Sequence, residues 1–228
     1  MLILIFTGIF FFTYIQKKKI QNIQSEAALK QSVLELKSIQ AQLNPHFVFN
    51  SLNSIQGLMN TGKIEEANKY LSEFSMLMRD TLNDSEKIFS TIASEIKKLE
   101  QYLSLEKLRF GFTYSITTQE SINISAVKIP ALLLQPIAEN AIKHGVAQMA
   151  SKGNIEIHFS QKNNALIVTI SDNGKGFNND ENTEGHGLRL TAERIKLINN
   201  IYTDSFVEQK INSGHNGTTV TINFNQWF

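Results

Sequence analysis

The 228-residue chain contains no cysteine. Disulfide bonds and thiolate metal sites are therefore excluded, and the composition fits a reducing compartment. The chain also has almost no net charge, because its 22 Lys and Arg residues and 21 Asp and Glu residues give a formal charge of +1. Nucleic-acid-binding domains are usually strongly basic, so we expect no direct nucleic-acid partner. The sequence shows neither an internal repeat nor a low-complexity tract.

The first fifteen residues form an almost wholly apolar run that is followed by Lys17, Lys18 and Lys19. As a helix this run would be ~22 Å long, against ~30 Å for the hydrocarbon core of a bilayer. Its positive charge follows the run, whereas in a signal peptide it comes first, and lysines beside a membrane helix favour the cytoplasmic side. We therefore expect a partial transmembrane helix over residues 1–16. The alternative is an exposed hydrophobic tail on a soluble protein.

Residues 17–44 are predicted to continue as a coiled-coil helix, and the only helix breaker between residues 20 and 60 is Pro45. Apolar positions in this stretch recur at alternating steps of four and three, the spacing of a coiled-coil seam. The seam consists of Leu29, Val33, Leu36, Gln40, Leu43 and Phe47. It favours a parallel dimer, although a helix packing within one chain would show a similar stripe.

The remainder of the chain predicts an α+β fold. Helices are expected over residues 64–82 and 92–108, and with residues 45–60 they would form a helical bundle over 45–110. From residue 114 the pattern changes to strands, over residues 114–117, 155–160, 166–170, 206–211 and 218–224. Further helices are predicted over 132–145 and 189–199. This mixture predicts an α/β sandwich over residues 111–228, with helices on one face of a single sheet.

Residues 132–145 read LLLQPIAENAIKHG and concentrate the polar groups that suit a metal–phosphate ligand. At ~3.6 residues per helical turn, Glu139 and Lys143 share one face with Asn140 and His144. An amide oxygen and a carboxylate suit Mg²⁺, and a lysine suits phosphate. The alternative is an amphipathic helix whose polar face is merely solvated.

Two glycine-bearing segments follow. SDNGKGF, at residues 171–177, comes directly after an apolar β-branched run, and its closely spaced glycines predict a tight turn that approaches a ligand. GHGL, at residues 185–188, precedes a helical stretch, where free backbone N–H groups and the helix dipole favour an anion. Either segment alone resembles an ordinary turn, but the three segments in this order indicate a nucleotide site.

ENAIKHG, DNGKGF, GHGL and the later GTTVTINF (residues 217–224) resemble the four nucleotide-binding boxes of the GHKL ATPase superfamily. This superfamily holds histidine kinases, gyrase-type topoisomerases, Hsp90 and MutL. QLNPHFVFNSLNSI, at residues 42–55, resembles the phosphoacceptor box of LytS/YehU-type sensor histidine kinases. The similarity runs from about residue 39 to residue 224. It implies a Bergerat-type ATP-binding domain that takes ATP and Mg²⁺.

The resemblance also implies roles for individual residues. Asn140 would be the metal ligand, and Glu139 would support the metal or polarise the attacking group. Lys143 and His144 would approach the phosphates, and Asp172 would accept the adenine amino group. The remaining implied nucleotide contacts are Gly174 and Gly176 at the base and ribose, Gly185, Gly187 and Leu188 at the phosphates, and Thr219 near the adenine.

His46 is the residue that the resemblance marks as the phosphoacceptor. A neutral imidazole nitrogen can attack phosphorus, and with an ordinary pKa of ~6.5 most imidazole is neutral in the cytoplasm. In conventional histidine kinases the following residue is acidic, but here it is Phe47, as in the LytS-type box. The identity of the general base therefore stays open.

The activity implied is that of an ATP-dependent protein-histidine kinase. His46 would take the γ-phosphoryl group and pass it to an aspartate of a response regulator, of which the LytTR type is the implied class. The resemblance further implies a homodimer in the bacterial inner (cytoplasmic) membrane, with its catalytic part in the cytoplasm. Two rivals are a GHKL ATPase clamp and a nucleotide-binding scaffold, neither of which would form phosphohistidine.

Overall fold

The computed structural model describes residues 45–85, 87–177, 186–202 and 205–228, together with residues 11, 14 and 17–19. The predicted transmembrane helix (1–16) and coiled coil (17–44) therefore lie outside the described residues, apart from those few positions. Within the part of the chain that is described, no helix has the length and apolarity needed to cross a bilayer. Gly185 and the segment that links DNGKGF to GHGL, residues 178–184, also lie outside the described residues.

Between residues 45 and 110 the described chain contains three helices. They are α1 (Pro45–Asn60), α2 (Ile64–Ser85) and α3 (Ile92–Phe110). Each buries one stripe of side chains, which on α2 includes Ala67, Tyr70, Phe74 and Leu77 at steps of three and four. The helices predicted over 64–82 and 92–108 are thus confirmed, with slightly longer bounds.

The ends of α3 follow from its flanking residues. The hydroxyl of Thr91 accepts a hydrogen bond from the Ser94 N–H at 3.2 Å, which satisfies one free donor of the first turn. Gly111 ends the helix with φ of 77°, a left-handed conformation that glycine adopts readily, and its N–H bonds to the Lys107 carbonyl.

Five strands form one mixed sheet in the order β2-β4-β5-β7-β6. They are β2 (Thr113–Thr118), β4 (Asn154–Lys162), β5 (Ala165–Asp172), β6 (Phe206–Gly214) and β7 (Gly217–Asn225). β2 and β4 are parallel, and the other neighbours are antiparallel. All five predicted strands are confirmed. A separate antiparallel pair, β1 (Phe89–Thr91) and β3 (Lys128–Pro130), was not predicted because three residues are too short to show alternation.

One face of the five-stranded sheet is buried. Ile155, Ile157 and Phe159 of β4 are buried, whereas Glu156 and His158 between them are exposed. β5 and β7 repeat this alternation, and the buried face carries Leu166, Val168, Ile170, Val220, Ile222 and Phe224. The buried side is covered by α5 (His186–Ile201) and by α4 (Gln135–Asn140) with the turn that follows α4. The predicted sandwich with one covered face is confirmed.

The prediction of one regular helix over residues 132–145 is wrong. Residues 131–134 form a turn in which Leu132 has φ of 58°, and α4 begins only at Gln135. Pro136 explains the late start, since proline has no N–H and is tolerated only in the first helical turn. From Ala141 to Val146 the chain is π-helical, and the Ala147 N–H bonds to the Ile142 carbonyl at 2.9 Å.

α3 belongs to both parts of the molecule. It packs against α2 on one side, and its N-terminal end is hydrogen-bonded to the chain that leads into α4 on the other. The Ile92 N–H donates to the Val127 carbonyl and the Ala93 N–H to the Ile124 carbonyl, each at 2.9 Å. The domain boundary between residues 110 and 111 stays a prediction.

Candidate active site

Asn140 and Gly187 bring the first and third glycine-bearing segments together. A Cβ built on Gly187 would lie 2.8 Å from Nδ2 and 3.2 Å from Oδ1 of Asn140, and 3.0 Å from the Pro136 carbonyl oxygen. No side chain fits between them, so the first turn of α5 lies against the Asn140 amide. The Nδ2 atom is buried and has no hydrogen-bond partner among the described residues. The amide thus keeps bonding capacity for a polar ligand.

Asp172, at the end of β5, is the point where the other segments meet. A Cβ on Gly145 would lie 2.5 Å from Oδ1 of Asp172, and one on Gly174 would lie 2.4 Å from Cα of Gly145. A Cβ on Gly217, whose φ is 120°, would lie 1.9 Å from the Asp172 carbonyl oxygen. Glycine at these three positions is what lets three chain segments approach one another at Asp172.

The Asp172 carboxylate is half-buried and held by backbone. Its Oδ1 accepts the Gly174 N–H at 2.8 Å. Burial raises the pKa of Asp172, while the backbone N–H groups of Gly174 and Thr218 oppose that rise by stabilising the charged form. The result is an oriented hydrogen-bond acceptor at the edge of the covered face.

Thr219 does not lie beside Asp172. Its hydroxyl is 3.1 Å from the hydroxyl of Ser171, its cross-strand partner, on the outer face of the sheet. Asp172 is paired instead with Thr218, whose hydroxyl is 2.9 Å from that of Ser213. Since side chains alternate along a strand, only Thr218 shares the face of Asp172. The assignment of Thr219 to the nucleotide stays a prediction, and Thr218 is the threonine on the Asp172 face.

Glu139 lies on α4 and accepts a hydrogen bond from the Gln135 side-chain amide at 3.1 Å. Its charge acts on two buried groups of α3. The pKa of Tyr102 is raised well above its ordinary value, first by burial and then by Glu139 and Glu106. The pKa of Glu106 is raised by burial, lowered by Arg109 and raised further by Glu139. Glu139 is therefore near enough to α3 for its charge to act on Tyr102 and Glu106.

Lys143 and His144 lie on the exposed side of the π-helical turn. Partial burial, followed by the positive charges of Lys143 and Lys175, lowers the pKa of His144 below 6.5. His144 is consequently neutral at neutral pH and offers a hydrogen bond, whereas Lys143 offers a charge. The α-helical repeat used to group these residues with Glu139 and Asn140 does not hold beyond Asn140, because the turn is wider there.

The remaining predicted contacts fall in different places. Gly176 has φ of 60°, and a Cβ on it would lie 2.0 Å from the Gly214 carbonyl oxygen, so it packs on the β6–β7 hairpin. Leu188 is buried in the hydrophobic core and can meet a ligand only through its backbone. Gly185 lies outside the described residues.

His46 is the second residue of α1. Its neighbour Phe47 is buried against Phe74 and Tyr102, with ring centroids 5.9 Å and 5.1 Å apart. The predicted phosphoacceptor thus lies on the helix that packs on α3, while Asn140, Asp172 and the paired glycines form a separate constellation. Thr218, Gly145 and Gly217 were missed as site residues, although the GTT run at residues 217–219 contained the signal for two of them.

Two family models match the chain. Residues 34–114 match the model described as Histidine kinase. Residues 128–226 match the model described as Histidine kinase-, DNA gyrase B-, and HSP90-like ATPase. The second match contains all four glycine-bearing segments, and the first contains His46.

Curated relatives are similar over most of this chain. Sensor histidine kinase BtsS of Escherichia coli is 34% identical over 173 residues, which are 76% of this chain and 30% of BtsS. Sensor protein LytS of Staphylococcus epidermidis is 31% identical over 197 residues, which are 82% of this chain and 33% of LytS. The chain thus spans about a third of the length of these relatives. Among solved structures, the histidine kinase domain of a blue-light activated histidine kinase from Erythrobacter litoralis aligns with a TM-score of 0.48 and 15% identity, over 88% of this chain and 96% of that one.

Proposed function

We propose that this chain, which belongs to the sensor histidine kinases of the LytS and BtsS type, transfers the γ-phosphoryl group of ATP to its own His46. The observation that carries the proposal is the convergence of Asn140, Gly187 and Asp172 with the glycines around them. Three backbone segments approach one another there without side chains between them. Such an arrangement suits a ligand that is recognised through backbone N–H groups and a few fixed polar atoms.

Asp172 and Thr218 are assigned to the adenine. A carboxylate accepts hydrogen bonds only, so it recognises the adenine amino group and rejects the carbonyl oxygen that guanine presents at that position. Gly174 holds the carboxylate by its N–H at 2.8 Å, which fixes the orientation of the carboxylate group. Thr218 replaces Thr219 in this role because it is the cross-strand partner of Asp172.

Asn140 is assigned to Mg²⁺, with the Glu139 carboxylate beside it as the acid–base group. The residue types fit, because Asn140 offers a neutral amide oxygen as a ligand and the carboxylate of Glu139, at the preceding position, attracts a cation. The unpartnered Nδ2 of Asn140 is a hydrogen-bond donor and suits a phosphate oxygen instead. The ion would neutralise charge on the triphosphate. Lys143 adds a cation from the exposed turn, and the first turn of α5 at Gly187 adds backbone N–H groups. Gly185 and His144 complete the proposed phosphate side.

His46 is the nucleophile. Its neutral imidazole nitrogen attacks the γ-phosphorus, the bond to the bridging oxygen of ADP breaks, and the proton on the other ring nitrogen is lost. Phe47 cannot take that proton, because its side chain has no basic atom and is buried against Tyr102. Glu139 is the acid–base candidate within the site. The phosphoryl group then passes to an aspartate of a response regulator, for which we propose the LytTR type.

A homodimer is the proposed assembly. α1 and α2 expose many large apolar side chains on the surface away from the core, which is unusual for a monomer. They are Phe49, Leu52, Met59, Ile64, Leu71, Met76 and Leu82. A second copy of the helix pair would cover them as a bundle. We further propose that the whole protein is anchored in the bacterial inner membrane through residues 1–16, with the catalytic part in the cytoplasm.

The proposal is tested by incubating the full chain with γ-labelled ATP and Mg²⁺. Label on histidine survives base and is lost in acid, which is the opposite of label on serine. We expect base-stable, acid-labile label in the native chain and none in His46→Gln. His215→Gln, which removes an exposed histidine from a turn of the β6–β7 hairpin, is the matched control and should label normally. Normal labelling of His46→Gln would refute the assignment of the phosphoacceptor.

A further inference from the structure

A cluster of buried charges joins α3 to the turn before α4. Glu95, Lys98 and Ser90 are only 2%, 4% and 7% exposed. The Ser90 hydroxyl donates to Oε1 of Glu95 at 2.5 Å, and the Lys98 ammonium donates to the same oxygen. The other carboxylate oxygen, Oε2, accepts the backbone N–H of Leu132 at 3.1 Å.

Arg194 holds the same turn from α5. It is 3% exposed, its Nη1 donates to the Leu132 carbonyl at 2.6 Å, and its Nη2 donates to the Ala131 carbonyl. Leu132 is therefore gripped through its N–H by α3 and through its carbonyl by α5. Its φ of 58° is a left-handed conformation that a leucine rarely adopts. Such a conformation persists only where the surroundings impose it, and here Glu95 and Arg194 do so.

These contacts reach the candidate site because α5 contacts the chain on both sides of α4, once in the turn before α4 and once in its last turn. Arg194 holds the turn that leads into α4, and Gly187 lies against Asn140 in its last turn. Gly187 and Arg194 are seven residues apart, about two helical turns, so they lie on one side of α5. The orientation of Glu139 and Asn140 relative to the start of α5 is thus set by contacts at both ends of a six-residue helix.

We propose that Glu95 and Arg194 form a clamp on residues 131–132 and are positioning residues for Glu139 and Asn140. The inference rests on the proposed function of this site as an ATP site. Buried charges are a costly way to stabilise a fold, since an apolar group of the same volume is often better. They do fix direction, because one guanidinium reaches two carbonyl groups in a plane. Burial lowers the pKa of Arg194 only to about 10, so it stays charged at neutral pH.

The clamp is tested with Arg194→Lys in the full chain, because lysine keeps the charge but cannot reach both carbonyls in a plane. We expect faster amide hydrogen exchange in residues 131–140 and unchanged exchange in β5 and β7. The autophosphorylation rate at saturating Mg·ATP should fall by about 10- to 100-fold, as when a reacting group is misplaced. Adenosine binding should be unchanged, because Asp172 lies on β5 outside the clamp. Lys196→Met, which removes an exposed cation from the same helix, is the control.

Wild-type exchange at residues 131–140 together with a wild-type labelling rate in a folded variant would overturn the clamp. If Arg194→Lys does not fold, the paired variant Glu95→Met/Lys98→Met decides, since it removes the acceptor of the Leu132 N–H together with the lysine that pairs with it, while Arg194 keeps both of its carbonyl acceptors. The same faster exchange is expected there, and its absence overturns the proposal. Lys63→Met/Glu66→Met removes an exposed pair of the same spacing and is its control. A native chain that neither binds adenosine nor labels itself would refute the proposed function, while the exchange measurement would still decide the clamp.

Discussion

The ring of Phe47 packs on the ring of Tyr102, with centroids 5.1 Å apart and an angle of 51° between the planes. Phe47 follows the predicted phosphoacceptor on α1, and Tyr102 lies on α3, where Glu139 acts on its phenol. Both aromatic residues are buried. α3 is therefore the common support of the helix that carries His46 and of the helix that carries Glu139. Phe47 occupies a buried packing position, which explains in structural terms why no acid follows His46.

Replacing Phe47 should affect phosphoryl transfer more than nucleotide binding. Phe47→Leu keeps an apolar side chain but loses the ring contact with Tyr102, so α1 should remain folded with His46 less well fixed. We expect a lower labelling rate with unchanged ATP affinity. Phe47→Ala should also destabilise the fold by about 3–5 kcal/mol, the usual cost of truncating a buried phenylalanine. Urea unfolding and initial labelling rates check both. An unchanged rate in Phe47→Leu would show that the ring contact does not position His46.

Gly187→Ala should weaken ATP binding. The added Cβ would lie 2.8 Å from Nδ2 of Asn140, closer than real Cβ atoms come to other heavy atoms, so either Asn140 or the start of α5 must move. We expect affinity for Mg·ATP to fall by about tenfold, the effect of losing one good hydrogen bond. Gly57→Ala on α1 is the control, because a Cβ there meets nothing within 4 Å. It should leave affinity unchanged and stabilise the helix slightly. Equal ATP affinity in the two variants would contradict the contact.

Thr218→Val and Thr219→Val form a matched pair. Each removes one hydroxyl that lies near a serine hydroxyl, at 2.9 Å for Thr218 and 3.1 Å for Thr219. Only Thr218 is paired with Asp172. We expect Thr218→Val to lower ATP affinity about tenfold, while Thr219→Val changes stability by about 1 kcal/mol and leaves affinity intact. Calorimetric titration with ATP distinguishes them. The reverse result would restore the assignment of Thr219 made from the sequence.

The contrast between Thr218 and Thr219 shows what the sequence could and could not predict. Strands with β-branched alternation, helix ends at Gly111, and the glycine-bearing segments were all predictable, because each depends on local conformational preference. The register of β7 on β5 was not, since it is set by pairing across the sheet. Glu95 and Arg194 look like ordinary charges on amphipathic helices. Only the fold shows that they are buried and hold residues 131–132, and the π-helical turn after Asn140 has no sequence pattern of its own.

Glu106 should make stability depend on pH. Burial raises its pKa in the folded chain, so the folded state binds a proton more readily than the unfolded state. Stability should therefore rise as pH falls from above the folded pKa towards the unfolded pKa of about 4.3. Glu106→Gln lacks this gain, so the stability of the native chain should rise relative to that of Glu106→Gln as the pH falls from neutral towards the unfolded pKa. Thermal melts across that range measure the difference. The exposed Glu100→Gln, on the same helix, should follow the native chain. If the stabilities of the native chain and of Glu106→Gln changed equally with pH, the effect of burial on Glu106 would be contradicted.

Glu139 and Asn140 are adjacent, but replacing them should have different effects on ATP binding and labelling. Asn140→Asp adds a negative charge beside the triphosphate, so metal-dependent ATP binding and labelling should both fall. In the native chain Glu139 accepts a hydrogen bond from Gln135 at 3.1 Å. Glu139→Gln keeps the shape of the side chain and can still accept this bond, but it cannot accept a proton. ATP binding should survive while the labelling rate drops by about 10²–10⁴-fold, as expected on losing an acid–base group. Nucleotide affinity and initial labelling rate, measured for both variants, separate the two roles. A normal rate in Glu139→Gln would make the carboxylate a structural group, and the base would have to be sought elsewhere.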